Sequence, residues 1–217
     1  MTEPELREFE RKNFLRRRRE SIFGKAASLY DCRFDRDNGS VPALAEVKRY
    51  ADRWEEMRAN NIGLLLWGVP GTGKTFAAAC VANALCEKWL DVRMTTIGYA
   101  LNALPSMTPQ EKLDYLDSLI HCDLLILDDF GMERQTDYAQ EQVFNLIDGR
   151  YLARKPLLVT TNLTLKELKT PVDIVEHRIY ERILELCVPI CFDSPSQRPR
   201  KAKDTLTRYK ELTRTET

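Results

Sequence analysis

The sequence has no long hydrophobic run and no charge of one sign in excess. No stretch of its 217 residues approaches the ~18 consecutive apolar positions that a membrane-spanning helix needs. The charged opening MTEPELREFERK carries nothing like the apolar centre of a secretory leader. The expectation is a soluble, cytoplasmic chain with no membrane partner. Thirty-three basic residues against thirty-three acidic ones leave a formal charge of zero, so any affinity for nucleic acid has to come from local basic patches rather than from the field of the whole molecule. Paired cysteine spacing is also missing: Cys32, Cys80, Cys86, Cys122, Cys187 and Cys191 never form CxxC, which argues against zinc-ribbon and dithiol redox chemistry. Most of these thiols lie within apolar segments, where a free cysteine acts as a small buried hydrophobe. No internal repeat is visible.

What is present is enough apolar sequence, 43% of residues, to fill the core of one domain. From about residue 44 onward, apolar runs alternate with helical patterns, as they do in a parallel sheet buried on both faces. Strands are predicted at Ile62 to Trp67, Val92 to Ile97, Leu124 to Asp128, Leu157 to Thr161 and Val188 to Phe192. Helices are predicted over KTFAAACVANALCEKW, TPQEKLDYLDSLIH, DYAQEQVFNLIDGRYLA and PVDIVEHRIYERILEL. The fold class is therefore α/β, a five-stranded parallel sheet sandwiched by helices. Three regions follow: a basic segment over 1–40, a core over 41–198 and a basic tail over 199–217. Within the first, RKNFLRRRRES reads either as a solvated helix face or as a contact for a partner or nucleic acid. ALAEVKRYADRWEEMRAN reads as one amphipathic helix entering the first strand, and the tail lacks apolar periodicity at its start.

Residues 68–75 read G-V-P-G-T-G-K-T, which fits G-x-x-x-x-G-K-[ST] placed after a predicted strand and opening a predicted helix. Gly68, Gly71 and Gly73, with Val69, Pro70 and Thr72 between them, let backbone N–H groups turn toward phosphate oxygens at a helix N-terminus. Lys74 would reach the β and γ phosphates, Thr75 would offer a hydroxyl to Mg²⁺, and Phe76 follows on the same turn. Such a site needs a second, acidic half. LLILDDFG supplies it, with four apolar strand residues and then Asp128 and Asp129 at the carboxyl end, where parallel sheets place ligands. Asp128 is assigned to the metal side and Asp129 to polarising water. PLLVTTN ends in Asn162, positioned to contact the γ-phosphate or the water. In EHRIYERILEL, Arg178 and Arg182 share a helix face. They either pair with neighbours such as Glu181 and Glu185 or enter an adjacent subunit's site in a ring or filament.

Taken together, LWGVPGTGKT, LLILDDFGMER, LLVTTNLTL and RIYERILELCVPI resemble the DnaC/IstB-like branch of the AAA+ superfamily of P-loop ATPases, over roughly residues 41–198. That branch comprises bacterial and phage helicase loaders and the ATP-binding helper proteins of some transposons. The resemblance implies ATP and Mg²⁺ as ligands, with Gly68, Gly71, Gly73, Lys74 and Thr75 as Walker A, Asp128 and Asp129 as Walker B, and Asn162 as sensor 1. It places Arg182 at the trans-acting arginine, with Arg178 the second candidate. It further implies a replicative helicase and single-stranded DNA as partners, and self-association into a ring or spiral. Two departures stand out. Only about 25 residues follow the last predicted strand, so a reduced or absent C-terminal lid is expected, with the sensor-2 role unassigned. The N-terminal segment is short beside the helicase-binding domain of well-known loaders.

The insertion GYALNALPSMTPQEKLDYLDSLIHC lies where relatives contact DNA. Tyr99 and Lys112 could stack on a base and neutralise a phosphate, but the favoured expectation is that Tyr99 packs and Lys112 faces solvent. Two other functions compete with helicase loading. One is an IstB-like transposition ATPase with a transposase partner. The other is a nucleotide-gated nucleic-acid-binding module with little turnover, against which the Asp128–Asp129 pair argues. The preference for ATP over GTP rests on the resemblance, since no NKxD motif is evident at a strand end.

Overall fold

The computed structural model describes residues 2–24, 26–37, 39–131, 136–171 and 173–213. Residues 132–134 of the LLILDDFGMER stretch, residue 172 of the helix predicted over 171–186 and the last four residues of the tail lie outside the described residues. Among the described residues, five strands form one sheet: β1 (Gly63–Trp67), β2 (Val92–Thr96), β3 (Leu124–Phe130), β4 (Leu157–Thr161) and β5 (Cys187–Cys191). The helices are α1 (Glu3–Phe23), α2 (Ala43–Asp52), α3 (Trp54–Ala59), α4 (Lys74–Glu87), α5 (Ile97–Ala103), α6 (Pro109–His121), α7 (Asp137–Leu152), α8 (Leu165–Lys169), α9 (Ile174–Leu186) and α10 (Arg198–Leu212).

Every strand pair is parallel and the order is β2-β3-β4-β1-β5. Parallel strands buried on both faces alternate between two cores with a period of two. Leu64, Leu66, Leu124, Ile126, Leu158 and Ile190 pack toward α2 and α4. Leu65, Leu125, Leu127, Leu157 and Val159 pack toward α7 and α9. The five strands and the four core helices stand where periodicity puts them, shifted by at most three residues at their ends. β3 differs in kind, because it continues past Asp128 through an irregularity between Leu127 and Phe130.

Three differences have local causes. The helix expected over 43–60 breaks into α2 and α3 at Arg53, whose φ and ψ of −99° and 29° leave the helical region; the break still buries Tyr50 and Trp54 edge to face. The tail forms a helix, α10, whose apolar residues Leu206, Tyr209 and Leu212 recur only in its second half and are exposed, so its start gave no signal. Five of the six cysteines are buried as expected, while Cys191 on the edge strand is exposed.

The arginine run of the N-terminal segment divides between roles. Leu15, Arg18, Arg19 and Ile22 fall on one helical face and turn inward, whereas Arg16 and Arg17 are exposed. Arg19 Nε donates to Asn83 Oδ1 at 2.9 Å and its Nη2 pairs with Glu87 at 2.8 Å, both on α4. Arg18 donates to the Leu90 carbonyl, and Phe14 stacks on Trp89 with ring centres 4.5 Å apart. Ile22, Phe23 and Cys32 join the same core cluster as α2 and α4. Arg19→Ala is therefore expected to destabilise the fold by about 1–3 kcal/mol, since it leaves the buried Asn83 Oδ1 without this donor and half-buried Glu87 with only its longer pair to Arg33. Arg17→Ala is expected to change stability by under about 0.5 kcal/mol. Paired thermal melts of the two variants check this, and equal midpoints would rule out a structural role for Arg19.

Candidate nucleotide-binding site

β1 ends at Trp67 and the chain reverses through residues 68–73 into α4. Gly68 has φ 138° and Gly71 φ 85°, in the region that disfavours side chains. A Cβ at Gly68 would lie 2.3 Å from the Phe192 carbonyl oxygen, and one at Gly71 2.3 Å from Ser196 Oγ. The loop is thus pressed against the segment that follows β5, and Gln197 N–H donates to the Gly71 carbonyl at 2.8 Å. Inside it, fully buried Thr72 donates to the Val69 carbonyl at 3.0 Å. Gly73 caps α4 without a side-chain hydrogen bond, so the first-turn N–H groups face the loop interior unblocked.

Lys74 is 5% exposed. Its Nζ donates to the carbonyls of Gly68 at 2.6 Å and Val69 at 2.9 Å. Burial pushes its pKa down, Asp129 and Asp128 oppose that shift, and Arg198 adds to it. A buried ammonium so placed gains most from a polyanion beside it.

Thr75 Oγ1 donates to Asp128 Oδ1 at 3.0 Å, and Thr160 Oγ1 donates to the same oxygen at 2.6 Å. Burial raises the Asp128 pKa and the two hydroxyl bonds pull against it. Its ionised form therefore costs folding free energy at neutral pH, a penalty relieved as pH falls through the raised pKa. Asp129 has φ 53° at the irregularity in β3. Its N–H donates to Thr160 Oγ1 at 3.0 Å, so one threonine of β4 holds both halves of the acidic pair. The two side chains leave opposite sides of the strand: Asp128 is buried behind Thr75, and Asp129 is exposed.

Asp129, Asn162, Lys74 and Thr75 line one cleft of about 450 Å³ at the carboxyl ends of β1, β3 and β4, together with Pro70, Gly71, Gly73 and Phe76. The remaining walls come from residues that the sequence did not single out. Asp37, Val41 and Leu44 precede β1 by two dozen residues or so, and Arg198 and Asp204 belong to α10. Thr160 was missed as well, since it lies beside Thr161 in a buried strand and nothing in the pattern separates a bridging hydroxyl from a packed one. Gln197 and Arg198 had one signal, their place at the very end of the 41–198 region of resemblance.

Arg178 and Arg182 do not line this cleft. They lie on α9 against α7, with Arg178 Cζ 4.4 Å from the ring centre of Phe144 and Arg182 Cζ 4.2 Å from that of Tyr151. Arg182 also pairs with Asp148 and Glu185. In the insertion, the expectations for both residues are reversed: Tyr99 is 74% exposed, while Lys112 is half-buried. Tyr99 stands in the first turn of α5, capped by Thr96, and the helix buries Ile97 and Ala100 instead.

A parallel sheet with a glycine loop, an uncapped helix start, a buried lysine and an acidic strand end defines a P-loop nucleotide-binding protein of the AAA+ fold. More narrowly, the chain belongs to the family of IstB-like ATP binding proteins, whose family model matches residues 5–204. It is 28% identical over 135 residues to the replicative helicase loader DnaC of Escherichia coli, a match covering 60% of this chain and 53% of that protein. The chain thus spans about half the length of that loader. A longer match, 28% identical over 208 residues, is to Rv3427c of Mycobacterium tuberculosis, named as a candidate ATP-binding protein in an insertion sequence; it covers 93% of this chain and 80% of that one. Among solved structures, DnaI superposes with a TM-score of 0.60 at 27% identity, covering 79% of this chain and 90% of that chain. Among the described residues, no helix is long and apolar enough to cross a membrane.

Proposed function

We propose that this chain is an ATPase that uses its nucleotide state to deliver a replicative helicase onto single-stranded DNA. The observation that carries the catalytic part is the convergence of Lys74, Thr75, Asp129 and Asn162 on one cleft. Val41, Leu44 and Phe76 offer an apolar wall suited to a base, and Lys74 and Arg198 offer positive charge to phosphates. Asp129 accepts a proton from the attacking water while Asn162 orients it. Thr75 Oγ1 and Asp128 Oδ1, 3.0 Å apart, form a pair of hard oxygen donors that fits Mg²⁺. When bound there, the ion neutralises charge on the phosphoryl oxygens.

No arginine of α9 reaches the chain's own cleft, so Arg182, with Arg178 second, is assigned to the site of a neighbouring subunit in a ring or spiral. Isolated protomers are then slow and assembled ones fast. The loader role is supported by the likeness to DnaC and DnaI. The docking segment is placed in residues 1–40, where Leu6 and Phe9 on the first turns of α1 are exposed. A second reading, a transposition helper partnered by a transposase, is favoured by the match to the insertion-sequence protein, which extends along 93% of this chain.

The test is affinity capture from host lysate with Asp129→Asn loaded with ATP, against Lys74→Ala as the control. ATP-dependent enrichment of a hexameric replicative helicase is the expected result. A transposase in its place moves the protein to the transposition class with the ATP site unchanged, and recovery of neither favours a nucleotide-gated nucleic-acid module.

A further inference from the structure

α7 and α9 lie side by side, and their facing residues repeat with the same spacing. Phe144 on α7 meets Arg178 on α9, and Asp148 and Tyr151 on α7 both meet Arg182, which also bonds Glu185 on its own helix. Arg182 is at the centre of this arrangement. Its Nε donates to Asp148 Oδ1 at 3.2 Å, its Nη1 donates to Glu185 Oε2 at 3.0 Å, and the Tyr151 ring lies under its guanidinium. The two carboxylates are not equivalent. Asp148 comes from the neighbouring helix and is 26% exposed, whereas Glu185 is one turn along α9 itself and 49% exposed.

A guanidinium is a rigid planar fork. Asp148 grips it at Nε, nearest the side-chain stem, and leaves the outer Nη edge to meet another group. Glu185 occupies part of that edge. We propose that Asp148 is the positioning residue that aims Arg182 into a neighbouring subunit's ATP site, and that Glu185 covers the arginine until that site presents phosphate. The inference rests on the reading that Arg182 acts in trans. A flexible arginine loses rotamer freedom when it docks, and the Asp148 bond and Tyr151 stacking fix it beforehand, which lowers that cost. The Glu185 bond is exposed and weak, so a multiply charged phosphate displaces it.

The test separates the subunit that donates the arginine from the one that hydrolyses ATP. Asp129→Asn serves as donor, with an intact Arg182 and only slow turnover of its own; Arg182→Ala serves as acceptor, with an intact cleft. ATP turnover is measured in mixtures of the two. Adding Asp148→Asn to the donor is expected to lower turnover on the order of tenfold or more, because a small misplacement of a catalytic group is costly, and Asp148→Glu in the donor restores part of it. Adding Asp148→Asn to the acceptor is expected to have no effect, since its Arg182 is already gone. Glu185→Gln in the donor is expected to raise turnover at low subunit concentration by about 1.5- to 5-fold, the range of an exposed ion pair.

An Asp148→Asn donor as effective as its parent, or an equal loss from both placements, overturns the positioning role. A Glu185→Gln donor that is no better than its parent overturns the covering role. If the parent donor itself restores nothing to Arg182→Ala, the trans reading fails and this inference falls with it.

Discussion

Asp129→Asn is expected to bind ATP nearly as well as the natural protein and to turn it over about 10² to 10⁴ times more slowly, the range for removing a positioned acid or base. The substitution keeps the shape of the side chain. Asparagine also tolerates the left-handed backbone that Asp129 adopts at φ 53°, and the N–H bond to Thr160 is untouched. Lys74→Ala acts on a different quantity. Its Nζ is held at the loop by the carbonyls of Gly68 and Val69, so its loss is expected to weaken ATP affinity itself by about 10- to 100-fold, the worth of a hydrogen bond to a charged group. Equilibrium ATP binding alongside single-turnover hydrolysis distinguishes the two. An Asp129→Asn protein that hydrolyses at the natural rate would remove Asp129 from the water-activating role.

Arg182→Ala is expected to cut assembled turnover by about 10³ to 10⁵, the contribution of an arginine that neutralises phosphoryl-transfer charge, with ATP affinity preserved. The reason is geometric. Arg182 does not line its own cleft but lies against Asp148, Glu185 and Tyr151, so the proposed role is one toward another copy's phosphate. Mixing with Asp129→Asn should recover activity that neither variant shows alone. In a random one-to-one head-to-tail assembly, about a quarter of subunits combine an intact cleft with a neighbour's intact arginine. Turnover near a quarter of the natural value, rising with protein concentration, is the expected reading. A monomeric preparation as active per subunit as an assembled one would dismiss the shared site.

The sheet and the phosphate loop were legible because their signals are local. Leu64 to Leu66, Leu124 to Leu127 and Leu157 to Val159 are apolar runs of strand length, and strands buried on both faces need such runs. Gly68, Gly71 and Gly73 sit at backbone angles that few other residues accept, so their spacing carries the loop's shape. The second acidic residue was legible as a residue but not as a conformation. Strand alternation parts the adjacent aspartates, one behind Thr75 and one lining the cleft, but the register shift in β3 and the left-handed Asp129 backbone had no signal in the sequence. The arginine run was legible only as charge. Whether a helix face is wet depends on what stands opposite, and for Arg18 and Arg19 the residues opposite belong to α4 and the turn after it, more than sixty positions away. Tyr99 misled for the same reason, since composition favours packing an aromatic that its helix instead turns outward.

By itself, the sequence determined an α/β chain with parallel strands, a phosphate-binding turn between β1 and α4, and an acidic partner at the end of another strand. Each of these depends on side-chain period or backbone freedom within a few residues. The tertiary structure alone decided the strand order, the closing of the cleft by Val41, Leu44 and Arg198, the sharing of Thr160 between Asp128 and Asp129, and the holding of Arg182 between α7 and α9. Those features join segments from 20 to more than 150 positions apart. Such contacts form only once the burial of both sheet faces has offset the entropy of bringing the segments together, and periodicity along the chain carries no record of which distant residues will meet.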